Sequence, residues 1–123
     1  MTAWTADELD RLGGADELQL ASVRDDGTLR RPVTIWVVRQ GDDLSVRSVY
    51  GRSSTWFRGT QDRHEGHIEA GGIDKEVLFV DTNELNDEID AAYRTKYRRY
   101  PAEYVDPMAG PEARAATIKL VPR

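Results

Sequence analysis

Cysteine is absent from the chain. That excludes a disulfide framework, thiolate metal sites and a cysteine nucleophile. Lysine is scarce, with three residues against 14 arginines. Histidine occurs only at positions 64 and 67. A His-x-x-His spacing suits metal on a helix, but Gly66 interrupts this one and a strand-like run follows. On a strand, positions 64 and 67 point to opposite faces, and no third ligand is evident, so no metal site is expected. No apolar run approaches the roughly 20 residues that span a bilayer. The segment Met1-Thr-Ala-Trp-Thr-Ala-Asp-Glu8 has neither the basic nor the apolar region of a signal peptide. A cytoplasmic protein with no membrane partner is therefore expected. The net charge of −5 argues against a nucleic-acid partner, since such affinity comes largely from neutralising phosphates. A Gly-x-Ser-x-Gly elbow, a P-loop and a dinucleotide glycine fingerprint are also missing.

What is present fits one α+β domain over 1–123, a length that buries well over half its unfolded surface. Thr5-Ala-Asp-Glu8 reads as a capping box, with Trp4 and Leu9 at the positions of a hydrophobic staple. A helix over 6–12 follows, closed by left-handed Gly13-Gly14 and covering one end of a sheet. Strands are expected at 17–24, 32–39, 43–50, 66–70, 76–81 and 116–121. Asp25-Asp-Gly27-Thr28, Gly41-Asp42 and Gly71-Gly72 supply turns. The run Pro32–Arg39 is apolar on both faces, as in a strand covered on both sides. Six short strands joined mainly by turns favour a small, closed or nearly closed antiparallel barrel.

A longer helix is expected over 84–100. Leu85, Ile89, Ala92, Tyr93, Tyr97 and Tyr100 form one stripe at helical spacing. Acidic residues fill its first half and basic ones its second, in accord with the helix dipole, and Asp90–Arg94 is an i, i+4 pair. Pro101 ends it. The stripe reads as packing against the barrel, with an aromatic ligand wall as the alternative. The segment 101–115 is a connection or lid of unspecified shape.

Charge is unevenly distributed. Residues 24–63 hold eight arginines, five aspartates and no lysine, a balance of +3 that leaves −8 elsewhere. An arginine-rich genome and an anion site both account for this. A two-residue loop at Gly41-Asp42 would place Trp36 opposite Arg47, Thr34 opposite Val49, and Arg31 opposite Arg52. Like charges facing across a ladder repel, so Arg31 and Arg52 either splay into water or share an anion such as phosphate. Arg30, Ser53, Ser54 and Thr55 add donors at that end, where an apparent helix begins. Trp36 and Trp56 either pack in the core or shield a planar ring.

Asp26-Gly-Thr-Leu-Arg-Arg-Pro32, Ile35-Trp-Val-Val-Arg39, Ala70-Gly-Gly72, Asp90-Ala-Ala-Tyr-Arg-Thr-Lys-Tyr97 and Thr117-Ile-Lys-Leu-Val-Pro-Arg123 resemble an uncharacterised bacterial domain-of-unknown-function family. More distantly, Gly27, Arg30-Arg31-Pro32, Gly51 and Trp56 are similar to the pattern of deazaflavin-dependent nitroreductases among the split β-barrel flavoproteins. That resemblance implies a split barrel acting as an oxidoreductase on an unknown small molecule, with FMN or the deazaflavin F420 as cofactor. It also implies a homodimer. The cofactor site would comprise Arg30, Arg31, Arg52, Ser53, Ser54, Thr55, Trp36 and Trp56. The alternative is a cofactor-free barrel that binds a small ligand or acts as an isomerase or cyclase, with its cavity among Trp36, Trp56, Tyr50 and the helix tyrosines.

Overall fold

The computed structural model describes residues 3–123, and Met1 and Thr2 lie outside the described residues. Helix α1 spans Ala6–Gly14. Its start is the expected capping box: Thr5 Oγ1 accepts from the Glu8 amide at 3.1 Å, and Glu8 Oε1 accepts from the Thr5 amide at 2.9 Å. Leu9 and Leu12 bury against the sheet, with Trp4 packed on the same cluster. The end of α1 differs from expectation. Gly13 and Gly14 are helical, and the chain leaves through Ala15 in an extended conformation. What Gly13 provides is room: a Cβ there would lie 3.0 Å from Cβ of Arg39.

Seven strands form one curled antiparallel sheet. In chain order they are β1 (Leu18–Ser22), β2 (Val33–Ile35), β3 (Val38–Gln40), β4 (Asp43–Arg47), β5 (Glu65–Ala70), β6 (Ile73–Asp81) and β7 (Thr117–Pro122). Their spatial order is β2-β1-β5-β6-β7-β4-β3. The two edge strands are thus consecutive in the chain, with only Trp36 and Val37 between them. Three Cα steps from Ile35 to Val38 reach at most about 11 Å, so the sheet must curl until its edges nearly meet. The barrel is split at this seam, and the chain itself bridges the split.

The seam corrects the expectation of one strand over 32–39. The hairpin register is as expected from Gln40↔Asp43 to Val38↔Ser45. Beyond Val38 the chain leaves β4, and Val33–Ile35 pairs with β1 instead, Ile35 opposite Leu18. Trp36 therefore has no ladder partner, and Arg47 pairs with Thr117 of β7. The two-faced apolar pattern has a different cause from burial at the centre of a sheet. Val37 packs into the barrel core with Leu20, Val46, Ile68, Phe79 and Leu120, whereas Val38 packs outward against Ile89, Tyr93 and Tyr97.

Helix α2 spans Thr55–Arg63 and α3 spans Asn86–Lys96, the latter continuing as turns to Pro101. The 101–115 segment folds as α4 (Ala102–Val105), a 3-10 turn (Asp106–Ala109) and α5 (Pro111–Ala115). Helix α3 is shorter than expected because Leu85 adopts a left-handed conformation, φ 57°, and stays half exposed outside the stripe. The expected Asp90–Arg94 pair does not form either, since Asp90 turns inward. In β5, Gly66 lets strands cross closely, as a Cβ there would lie 2.2 Å from the Ala21 carbonyl oxygen.

Loss of the α1 cap should be felt by the whole domain, because α1 covers the barrel core. Thr5→Ala is expected to lower unfolding free energy by about 1 kcal/mol. Urea denaturation of the two proteins checks this, and equal midpoints would show that α1 docks without its cap.

Candidate functional site: an aromatic cleft at the barrel seam

The seam carries the site. Two backbone groups of Val37 have no strand partner, and α3 supplies substitutes. The Tyr97 hydroxyl accepts from the Val37 amide at 3.1 Å and donates to the Asp16 carbonyl at 2.7 Å. Lys96 Nζ donates to the Val37 carbonyl at 2.6 Å. Burial raises the Tyr97 phenol above its ordinary range, so it remains a protonated donor. With the backbone fixed, Trp36 lies flat on Tyr97, ring centroids 4.0 Å apart and planes 5° from parallel. Tyr100 tilts against it at 5.2 Å.

Trp36 forms one wall of a cleft of about 750 Å³, within the usual range for small-molecule sites. Trp56 of α2 and Tyr100 add further aromatic surface, and Tyr50 and Tyr104 stand at the rim, 76% and 60% exposed. Trp36 and Trp56 are each half-buried against hydrophobic clusters, as the packing reading expects, and each also lines the cleft.

Arg47 also borders the cleft, yet its side chain is fully buried and fully engaged. It pairs with Asp90, donates to Thr117 Oγ1 at 2.9 Å and to the Met108 carbonyl at 2.9 Å, and reaches Asn86. Arg114 joins from α5, with Nε 3.0 Å from Asp90 Oδ2 and a further pair to Asp87. Two cations and two carboxylates thus tie α3 and the 106–115 segment to the barrel with no net charge. The guanidinium of Arg47 lies over Tyr93 at 5.7 Å rather than over Trp36. The Tyr93 hydroxyl is the buried side-chain polar atom that lacks a hydrogen-bond partner among the described residues. Sequence reading missed this network. Its available signal was Asp90, an acid three and seven residues from Tyr93 and Tyr97 on the apolar stripe.

The expected arginine cluster is only partly assembled. Arg31 lies outside any strand and Arg52 in a 3-10 turn, Gly51–Ser53, so no ladder sets them face to face. Arg52 instead donates to the Ala115 carbonyl at 3.1 Å, approaches Asp81 at 3.6 Å and covers Phe57. Arg30 clamps α2 to β1 through Ser22, the carbonyls of Val23 and Gly59, and Asp62. Ser54 shares a hydrogen bond with Ser48 at 2.7 Å, and Ser53 bonds weakly to the Tyr50 carbonyl at 3.4 Å. Arg31 is exposed and has no ion-pair or hydrogen-bond partner among the described residues.

A second cavity, about 500 Å³, opens beside Arg30, Thr55 and Arg58. Arg58, which sequence reading did not single out, is exposed and without a partner among the described residues. No side chain caps α2 and no acidic residue stands in its first turn, leaving its amides and dipole open to an anion. Thr55 borders this cavity while the next residue, Trp56, borders the aromatic cleft.

Residues 8–120 match the family described as an uncharacterised protein conserved in bacteria, DUF2255. The chain belongs to this family. No curated protein matches the DUF2255 chain. Among solved structures, it is similar to the FAD and heme binding protein from Mycobacterium smegmatis, with 20% identity, 94% of this chain covered and a TM-score of 0.53. The match takes in 64% of that protein's length, and the likeness is one of fold. An F420 reductase aligns at 18% identity over 94% of this chain and 90% of its own, with a TM-score of 0.49. No helix of the described residues is long and apolar enough to cross a membrane.

The seam lysine gives the fold a pH dependence. Burial pulls the Lys96 ammonium down to about 8 from an ordinary 10.5, with Asp16 opposing the shift. Between pH 8 and 10 the unfolded chain therefore holds more protons at this position than the folded one, and stability rises with pH. Above about pH 10 the raised Tyr97 phenol reverses the slope, because the unfolded tyrosine ionises first. Chemical denaturation across pH 7–10 should show a rise in wild type relative to Lys96→Met. Parallel profiles would mean Lys96 is as well solvated folded as unfolded.

Proposed function

We propose that the aromatic cleft and the adjoining cavity together hold a flavin-type cofactor, FMN or the deazaflavin F420, in an oxidoreductase acting on a small molecule. The observation that carries this reading is the placement of Thr55 and Trp56 on the first turn of α2. One turn of helix contributes an aromatic ring to one cavity and phosphate donors to the other, which is the division of labour a ring and its phosphate need. The residues suit the group. Trp36, Trp56 and Tyr100 supply flat apolar surface for a ring, and Thr55, Arg58 and the uncapped α2 amides supply donors for a phosphate.

The bound cofactor would provide the hydride chemistry. The chain's own task is then to orient the ring, exclude water from it and bind substrate. Arg47 is too thoroughly paired to serve as a mobile acid or a phosphate ligand; its task is to fix the cleft floor. Arg30 and Arg52, expected from sequence to bind phosphate, act here by placing α2. The fold likeness to the FAD and heme binding protein supports this reading, as does the place of Trp56 in the distant flavoprotein pattern.

Titrations with FMN and riboflavin separate the two halves of the site, and F420 with its phosphate-free deazaflavin repeats the comparison. Arg58→Ala is expected to weaken FMN by about 1.5–3 kcal/mol, as for a charge-assisted hydrogen bond, and to leave riboflavin unchanged. Trp56→Ala should weaken both. If none of the four compounds binds wild type, the cofactor reading is wrong. Equal loss of FMN and riboflavin in Arg58→Ala would place the phosphate elsewhere.

A further inference from the structure

We propose that the cleft also takes an organic cation, an amine or quaternary ammonium group, held by its aromatic rim and the carboxylate of Glu103. This rests on reading the cleft as the ligand site, but not on a cofactor being bound there. The argument begins with charge. Glu103, on α4, lines the cleft and has no hydrogen-bond or ion-pair partner among the described residues. Of the residues that line the cleft, the cation, Arg47, is already neutralised by Asp90, and Arg99, over the Tyr100 ring, is neutralised by Asp16 at 2.5 Å. The cleft therefore carries one uncompensated negative charge.

Its walls act in the same direction. Trp36, Tyr50, Trp56, Tyr100 and Tyr104 line the cleft. Tyr97 stacks on one face of Trp36 and Arg99 lies over Tyr100, so Tyr50, Trp56 and Tyr104 are the rings left to attract a cation through their quadrupoles. Tyr50 and Tyr104 leave most of their surface in water, an arrangement that core packing does not require. They stand on opposite segments, after β4 and on α4, with Glu103 directly preceding Tyr104. Aromatic rings plus one carboxylate at the mouth of a pocket is the chemistry that selects an ammonium over a neutral group of the same shape. In the proposed oxidoreductase it is the handle by which substrate is held, and it would disfavour carboxylate or phosphate substrates.

The test uses choline and its uncharged isostere 3,3-dimethylbutan-1-ol as probes, each titrated into the full chain while tryptophan fluorescence and ligand NMR line widths are followed. Choline is expected to bind roughly fivefold or more tightly than the isostere. Both positions are exposed: Glu103→Gln should weaken choline several-fold and leave the isostere unchanged, and Tyr104→Ala should weaken choline several-fold and the isostere less. Equal binding of the two probes, no response to choline at tens of millimolar, or indifference to both substitutions would overturn the proposal. FMN, riboflavin, F420 and its phosphate-free deazaflavin are titrated in parallel. Choline binding while all four fail to bind would sink the cofactor reading alone, and the reverse would sink the cation site alone.

Discussion

The Tyr97 hydroxyl on the Val37 peptide is the contact on which the rest of the molecule depends. A sheet whose first and last strands are joined by two residues must expose unpaired peptide groups where it splits, and buried peptide groups without partners are costly. Tyr97 and Lys96 answer that need from α3. Because the same tyrosine ring stacks on Trp36, the interaction that seals the barrel also sets the wall of the cleft. Closure and site construction are one event.

A second constraint holds the opposite wall. The buried Arg47–Asp90 pair, extended by Arg114 and Asp87, fastens α3 and the segment bearing Met108 to the barrel. Breaking a buried pair leaves an uncompensated charge, which costs far more than the intact pair contributes. Such a network favours one geometry over alternatives, and the geometry here is the one that keeps Tyr100 and Tyr104 around the cleft. Its neutrality leaves Glu103 to set the sign of the local field.

Much of this was legible in the sequence, and the failures are instructive. The capping box at Thr5 and Glu8, the Gly41-Asp42 hairpin and the tyrosine stripe depend on near neighbours along the chain, so local pattern suffices. In β7, the apolar Ile118 and Leu120 flanking Lys119 likewise report burial directly, whereas β1 is buried at Leu20, Ala21 and Ser22 alike. The seam did not show, because Pro32–Arg39 reads as one apolar strand whether it pairs with one neighbour throughout or changes partner at Trp36. That single ambiguity carried the error in the arginine cluster: extending the hairpin past Val38 brought Arg31 onto Arg52. The aromatic cavity could be foreseen in outline from Trp36, Trp56, Tyr50 and the helix tyrosines, since large amphipathic rings accumulate where walls meet water. Arg58 and Glu103 could not be foreseen, because an unpaired charge is recognised only when every other partner has been placed.

Tyr97→Phe tests the central claim most directly, since it removes one oxygen and keeps the ring that stacks on Trp36. Hydrogen exchange at Val37 and Val38, measured together with unfolding free energy, reads out the seam. Loss of the hydroxyl should cost about 1–3 kcal/mol, the penalty for stranding buried polar groups, and exchange at Val37 and Val38 should accelerate while the β6 amides at 77–80 stay slow. Unchanged stability with equally protected seam amides would contradict the claim that this hydroxyl holds the barrel and its cleft together.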